Sequence, residues 1–171
     1  QGFSTNTVLR AAERRVGRVT THFVSVAEAM IEQYLAAGIG LREQYSLIRS
    51  GFNVDSYDDL KPDARLQSNL GIDPDDFVIG KIARLFELKG HEELLMSAPG
   101  IIEQCPKVKF LLVGDGDWRV RLEQMAERLG ILNRIVFAGL VAPDDVPKHV
   151  GLMNILVHLS RREGLPRALA Q

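Results

Sequence analysis

Short apolar segments alternate with amphipathic segments through most of the chain, and this regular alternation limits the possible folds more than any other feature. Four segments predict strands, at residues 77–83, 108–113, 135–138 and 154–158. Segments with helical spacing lie around them, at about 62–70, 90–103, 118–129 and 143–152, and a further helix opens at Pro166. Because strands that alternate with helices form βαβ units, the sequence predicts the α/β class, with a Rossmann-like parallel sheet covered by helices on both faces.

The first part of the chain predicts a smaller group of elements. An amphipathic helix over residues 4–17 is followed by a strand over 20–26, a helix that ends at Gly38 and a strand over 45–48. An acidic, turn-rich stretch comes next, and it predicts a domain junction near residues 49–56.

The overall composition is that of an ordinary globular protein. Of the 171 residues, 46% are hydrophobic and 25% are charged. The 21 Lys and Arg and the 22 Asp and Glu leave a net charge of -1, so no global field would draw the chain to nucleic acid. The single cysteine, Cys105, has no partner thiol and no metal-ligand spacing around it, which fits a reducing, cytoplasmic compartment.

Both ends of the sequence predict a piece of a longer protein. Residues 1–4 form neither a signal peptide nor a natural Met start, and residues 166–171 open a helix without finishing it. No run approaches the roughly 18 apolar residues of a membrane span.

Two cations follow the first strand of the predicted sheet. Ligands gather at the carboxyl ends of parallel strands, because loops and helix N-termini present unpaired N–H groups there. Arg84 ends the strand and Lys89 precedes the next helix, so both can face one anion such as a diphosphate. In an equally good alternative, Arg84 and Lys89 pair with Glu87 or Asp115 and only cap the edge of the sheet.

A glycine-rich turn, Gly114-Asp115-Gly116, follows the second strand. Its glycines permit positive φ and would let a nucleotide base or phosphate approach the backbone closely. Taken alone, the segment is better explained as a plain strand-to-helix turn, with Asp115 or Asp117 as the helix N-cap. It lacks the glycine spacing of the dinucleotide fingerprint.

The sequence Glu163-Gly164-Leu165-Pro166 is the most specific element at this edge. It places a carboxylate after the fourth strand and before a helix whose first residue is Pro166. Glu163 would meet the hydroxyls of a ligand there, whereas in the alternative it pairs with Arg161 or Arg162. We favour the ligand role because the residues after Glu163 open the backbone where a ligand would lie.

Five segments together resemble one enzyme family. They are Gly80-Lys81-Ile82-Ala83-Arg84, Lys89-Gly90-His91, Leu111-Leu112-Val113-Gly114-Asp115-Gly116, Val136-Phe137-Ala138-Gly139 and Glu163-Gly164-Leu165-Pro166. In order, spacing and flanks they resemble the family 4 (group 1) retaining glycosyltransferases of GT-B fold. The resemblance covers essentially the whole chain and implies three regions. Residues 1–48 would be the last helix-strand-helix unit of a truncated N-terminal acceptor domain, 49–56 an interdomain linker, and 57–171 a C-terminal nucleotide-sugar donor-binding domain, truncated at its C-terminal end.

The resemblance also implies roles for individual residues. Arg84 and Lys89 would neutralise the donor diphosphate and assist departure of the nucleotide without a metal ion or other cofactor, and Glu163 would hold the donor sugar. Further donor-binding positions would be Gly114, Asp115, Gly116, Gly164, Leu165 and Gln171. The family has a second Glu eight positions after Glu163, where this chain has Gln171. A glutamine oxygen can accept a hydrogen bond from the ribose, but without charge assistance.

The function implied by the resemblance is sugar transfer, as in glycan biosynthesis. The parent protein would move a sugar from a nucleoside-diphosphate donor, such as a UDP-sugar, to a saccharide or lipid-linked acceptor with retention of configuration. The chain alone would be nearly inactive, because acceptor binding needs the missing part of the N-terminal domain. The alternatives are a non-catalytic nucleotide-binding module and a GT-B epimerase that acts on a nucleotide sugar.

Other residues carry further expectations. His22 is expected to pack in the core, while His91 fits contact with a phosphate or a polar role at a helix start. The strand over 20–26 has lost the sheet it would join, which predicts a homodimer through residues 1–48. Four arginines form a basic helix face that fits a solvated surface better than peripheral contact with an anionic membrane. They are Arg10, Arg14, Arg15 and Arg18.

Overall fold

The computed structural model describes residues 3–49, 51 and 55–161, with the side chains of residues 3–6 left out. The chain forms two compact units, Gln1–Phe52 and Asn53–Gln171.

Among its described residues, the first unit has two α-helices and two short strands. In chain order these are α1 (Phe3–Gly17), β1 (Phe23–Ser25), α2 (Glu28–Ala36) and β2 (Tyr45–Leu47). β1 and β2 pair in parallel, and the rings of Phe23 and Tyr45 stack with their centroids 4.7 Å apart. The core of this unit is small, with Ile31 and Ile39 buried, while Val24 of β1 is 63% exposed. The strand predicted over residues 20–26 is shorter in the structure, where it covers only Phe23–Ser25.

The second unit is built on a four-stranded parallel sheet with the strand order β5-β4-β3-β6. Its strands are β3 (Phe77–Ile82), β4 (Val108–Val113), β5 (Ile135–Gly139) and β6 (Ile155–Leu156). Its helices are α3 (Ala64–Asn69), α4 (His91–Gln104), α5 (Arg119–Arg128) and α6 (Val146–Val150). The helix predicted over residues 143–152 is instead a single 3₁₀ turn at Pro143–Asp145 followed by the short α6.

Both faces of this sheet are buried. Neighbouring residues of a strand point to opposite sides, and here they belong to two different buried clusters. Ile79, Phe110 and Leu112 belong to a core cluster with residues of α4 and α5. Val78 and Leu111 belong to a second cluster on the other side. That cluster also contains Ile72, Val113 and Leu152, with Leu66 and Leu70 packed against it. Burial on two sides explains why β3 and β4 are almost continuously apolar.

The strand order places a crevice at a defined point of the sheet. The chain moves outward from β3 through β4 to β5, and β6 then lies on the opposite side of β3. β3 is therefore the point where the strand order reverses. In open parallel sheets, ligands bind at this point, outside the carboxyl ends of the strands.

Candidate functional site

The loop after β3 is held tightly against the loop after β4. Leu85 is completely buried in the core, and burial of a leucine side chain contributes about 2 kcal/mol. The Ala83 N–H donates to the Val113 carbonyl at 3.0 Å, and the Leu85 N–H donates to the Asp115 carbonyl at 3.0 Å. The Leu85 carbonyl in turn accepts from the Trp118 N–H at 3.1 Å. These bonds fix the backbone on both sides of Arg84.

The glycines of the loop after β4 make this contact possible. Gly114 has φ 129°, and a Cβ atom there would lie 2.2 Å from the Ala83 carbonyl oxygen. A Cβ atom at Gly116 would lie 2.4 Å from the Leu85 carbonyl oxygen. The two glycines thus admit the backbone of a neighbouring loop, a role that neither interpretation of the sequence contained.

Asp115 and Asp117 do not cap α5. The helix begins at Arg119 with Trp118 at the N-cap, and no side chain caps it. The Asp115 carboxylate accepts a hydrogen bond from the adjacent Gly116 N–H at 2.8 Å. The N-cap prediction for these two residues is therefore wrong.

Arg84 is exposed at the carboxyl end of β3, where its guanidinium lies over the Phe86 ring with Cζ 5.3 Å from the centroid. Within the part of the chain that the structure describes, Arg84 forms no ion pair with Glu87 or Asp115. Among the described side chains, none neutralises its charge.

A cleft of ≈ 460 Å³ lies beside Arg84. Its remaining lining includes the backbone of the glycine-rich loop and a set of apolar side chains at the ends of β3, β4 and β5. The lining residues are Ile82, Ala83, Arg84, Val113, Gly114, Asp115, Gly116, Leu140, Val141 and Val146. The volume falls in the range of about 300–1,000 Å³ typical of small-molecule sites. Four of the predicted site residues therefore meet in one cleft.

Lys89 lies on the same loop as Arg84, half-buried, but does not line this cleft. It precedes Gly90, which is the N-cap residue of α4 and has φ 75°. A Cβ atom at Gly90 would lie 2.1 Å from the Leu159 carbonyl oxygen, so the loop after β6 packs directly on the start of α4.

Arg161 fastens that second contact. Its N–H donates to the Leu88 carbonyl at 2.9 Å, and its guanidinium pairs with the Glu93 carboxylate. The backbone bond joins the loops that follow β3 and β6, and the ion pair joins the loop after β6 to α4. Four predicted site residues lie beyond this point and outside the described residues. They are Glu163, Gly164, Leu165 and Gln171.

His91 has the second of its two expected roles, a polar role at a helix start, and the structure identifies its partner. It is the first residue of α4 and only 1% exposed, and its Nε2 lies 3.0 Å from the Arg84 carbonyl oxygen. Burial, together with the nearby charges of Lys81 and Lys89, lowers the pKa of His91 to about 4, so the ring is neutral and Nε2–H donates to the Arg84 carbonyl. The buried ring is not placed to contact a phosphate. Its position directly after a Lys-Gly pair is the one sequence signal of this role.

The expectation for His22 is wrong. The residue precedes β1, its side chain is exposed, and its Nε2 lies 2.9 Å from the Ser46 Oγ. Among the described residues, no group of three or more His, Cys, Asp or Glu side chains could hold a metal ion. Within the same residues, no helix has the length and apolar character needed to cross a membrane.

Residues 63–171 match the family described as glycosyl transferases group 1. This chain belongs to that family. The Vi polysaccharide biosynthesis protein VipC/TviE of Salmonella typhi is 38% identical to it over 96 residues, which are 56% of this chain and 16% of that protein. A GDP-mannose-dependent alpha-(1-6)-phosphatidylinositol monomannoside mannosyltransferase of Mycolicibacterium smegmatis is 24% identical over 164 residues, covering 95% of this chain and 42% of that enzyme.

A solved structure extends the match to the fold. The crystal structure of Anabaena Alr3699/HepE in complex with UDP and glucose superposes with a TM-score of 0.75 and 29% identity. The match covers 92% of this group 1 glycosyltransferase chain and 43% of the HepE chain. The predicted class, an α/β parallel sheet that forms part of a GT-B fold, is confirmed. The chain spans less than half the length of each of these relatives.

Proposed function

We propose that this chain supplies the donor-binding part of a retaining glycosyltransferase of family 4, which takes its sugar from a nucleoside-diphosphate sugar without a metal ion. The observation that carries the proposal is the cleft beside Arg84 at the carboxyl edge of the sheet. It combines an exposed guanidinium, glycine backbone and apolar walls, which suit the phosphates and the nucleoside of one ligand.

The charge at this edge supports an anionic donor. Arg84 has no anionic partner among the described side chains. The net charge of the chain is -1, so an anion must be attracted by local groups rather than by a global field. Arginine binds phosphate oxygens with two parallel hydrogen bonds, which favours a diphosphate over a neutral ligand.

The relatives support the same class of donor. The HepE structure contains UDP and glucose, and the mycobacterial relative is described as GDP-mannose-dependent. Both descriptions name nucleoside diphosphates, but they differ in base and sugar. For this chain we therefore propose a nucleoside-diphosphate sugar as the donor class, and a saccharide or lipid-linked molecule as the acceptor of the longer protein.

The proposed chemistry assigns a role to each cation. As the bond between sugar and diphosphate breaks, negative charge grows on the leaving phosphate oxygen. Arg84 and Lys89 would stabilise that charge, and Glu163 would hold the sugar through its hydroxyls. Since the chain covers less than half of its relatives, the chain alone is expected to bind donor nucleotide but transfer almost no sugar.

Calorimetric titration of the chain with UDP, GDP and ADP tests the proposal. We expect at least one nucleotide to bind, with the same affinity in the presence of EDTA. Arg84→Ala should weaken binding about 10-fold or more, because a charged hydrogen bond is lost. Arg128→Ala is the matched control, since Arg128 is exposed at the end of α5 and away from the cleft. Absence of binding by all three nucleotides at millimolar concentration would contradict the proposal.

A further inference from the structure

Resting on the proposed function, we propose that His91 is a positioning residue for the donor phosphates. Its imidazole closes the loop between β3 and α4, and so holds Arg84 and Lys89 in one fixed arrangement. The hydrogen bond from Nε2 to the Arg84 carbonyl spans seven residues, and Lys89 lies inside the segment it closes.

The geometry leaves the ring little freedom. His91 is 1% exposed at the first position of α4, so the imidazole is almost completely enclosed by protein. The neighbouring N–H groups of Ala83 and Leu85 are bonded to the last residue of β4 and to the loop after it, respectively. The bond from His91 therefore ties the Arg84 backbone to the start of α4, directly after Lys89.

The turn inside the closed segment needs such a tie. Leu88 has φ 68° and Gly90 has φ 75°, and a leucine is disfavoured in that left-handed region. A strained turn persists only where surrounding contacts fix it. The hydrogen bond from His91 acts at one end of the segment, and the Arg161 N–H bonded to the Leu88 carbonyl acts within it.

The two ring nitrogens of His91 have different surroundings, and this difference indicates that the Nε2–H group explains the choice of histidine. Nδ1 of His91 is buried and has no hydrogen-bond partner among the described residues. An apolar side chain at this position would avoid an unpaired buried nitrogen, which is unfavourable. The imidazole is therefore explained by what Nε2–H does for Arg84, and not by packing alone.

The test compares two substitutions of similar length at position 91. His91→Gln keeps an N–H donor near the position of Nε2, whereas His91→Met removes it. We expect the UDP affinity of His91→Gln to stay within about threefold of wild type and that of His91→Met to fall about 10-fold. In an Arg84→Ala background, His91→Met should cause a smaller loss than in wild type, because part of its effect acts through Arg84. A purely structural role would instead weaken binding equally in both backgrounds.

Nitrogen NMR of the wild-type ring gives a second measurement that needs no folded variant. We expect a neutral imidazole with the proton on Nε2, exchanging slowly with water. A proton on Nδ1, or a charged ring at pH 7, would overturn the inference whether or not UDP binds. Unchanged UDP affinity in a folded His91→Met would also overturn it while the proposed function stands. If wild type with the expected ring state binds no nucleotide, the proposed function fails, and the role of His91 toward the donor fails with it.

Discussion

The pKa of His91 falls when the protein folds, and this makes the free energy of unfolding depend on pH. The ordinary pKa of 6.5 applies to the unfolded chain, and burial of the ring lowers the folded pKa to about 4. The Arg84 carbonyl and the Glu93 carboxylate oppose this shift, while the Lys81 and Lys89 charges add to it. Between pH 6.5 and 4 the unfolded chain binds the extra proton, so the folded state loses stability as the pH falls through this window.

The resulting loss can be measured by urea unfolding at pH 7 and pH 4.5. Wild type should lose about 2.5 kcal/mol more of its unfolding free energy than His91→Gln over this interval, from the shift of the pKa to about 4. Glutamine does not titrate, so the difference isolates His91 from the other acidic and basic groups. Equal losses in the two proteins would show that His91 keeps an ordinary pKa in the folded state.

At the residue scale, the position of a charged residue in the fold could be predicted from the sequence, but the contacts of individual residues could not. Arg84 could be placed at the sheet edge because a residue that follows an apolar strand must emerge at its carboxyl end. The role of Gly114 could not be predicted, because the Ala83 carbonyl that it admits is about thirty residues away in sequence. His91 was one of two polar possibilities until its burial and its bond to Arg84 were known. The spacing of residues predicts where along a strand or helix a side chain lies, but it does not predict which distant loop that side chain contacts.

At the scale of elements, two glycine substitutions should have opposite effects on stability. Gly114→Ala should lower the unfolding free energy by about 3 kcal/mol, because the new methyl would collide with the Ala83 carbonyl and φ is 129°. Gly100→Ala should raise it by about 0.5–1 kcal/mol, since Gly100 lies within α4 with open space around it.

Thermal and urea unfolding of the two variants beside wild type would measure both changes. UDP titration of folded Gly114→Ala should also show weaker binding, because the loop that lines the cleft is displaced. A Gly114→Ala protein as stable as wild type would show that the loops after β3 and β4 are not packed as described.

Strands that are buried on both faces were predicted accurately, whereas a helix that contains a proline was not. β3 and β4 agree with the expected strands to within one residue, because strands buried on both faces are continuously apolar. The expected helix over residues 143–152 is divided, since Pro147 has no N–H to donate to the carbonyl four residues earlier. β6 spans two residues, although N–H groups of Asn154 and Val157 bond to β3 carbonyls on either side of it.

At the scale of the whole molecule, we predict that the chain self-associates through residues 1–48. Apolar side chains of the first unit are largely exposed, among them Val8, Val16 and Val24, with 69%, 60% and 63% exposure. Val24 belongs to the short strand β1, and exposed apolar strands tend to pair with further strands.

Light scattering over a range of concentrations would test this prediction. Val24→Lys should shift the mass toward a monomer, because a charged side chain opposes strand pairing. Val120→Lys is the matched control, since Val120 is 61% exposed on α5 of the second unit. A monomeric mass for wild type at high concentration would contradict the prediction.

The contact between Gly90 and Leu159 has a consequence for how the protein matures. The two loops that it joins are separated by about seventy residues, so a growing chain carries Arg84 and Lys89 long before their neighbours from β6 exist. Contacts between such distant segments form late, because a long loop must close first. Nucleotide affinity would therefore develop near the end of folding, and a bound nucleotide would hold the finished arrangement by mass action.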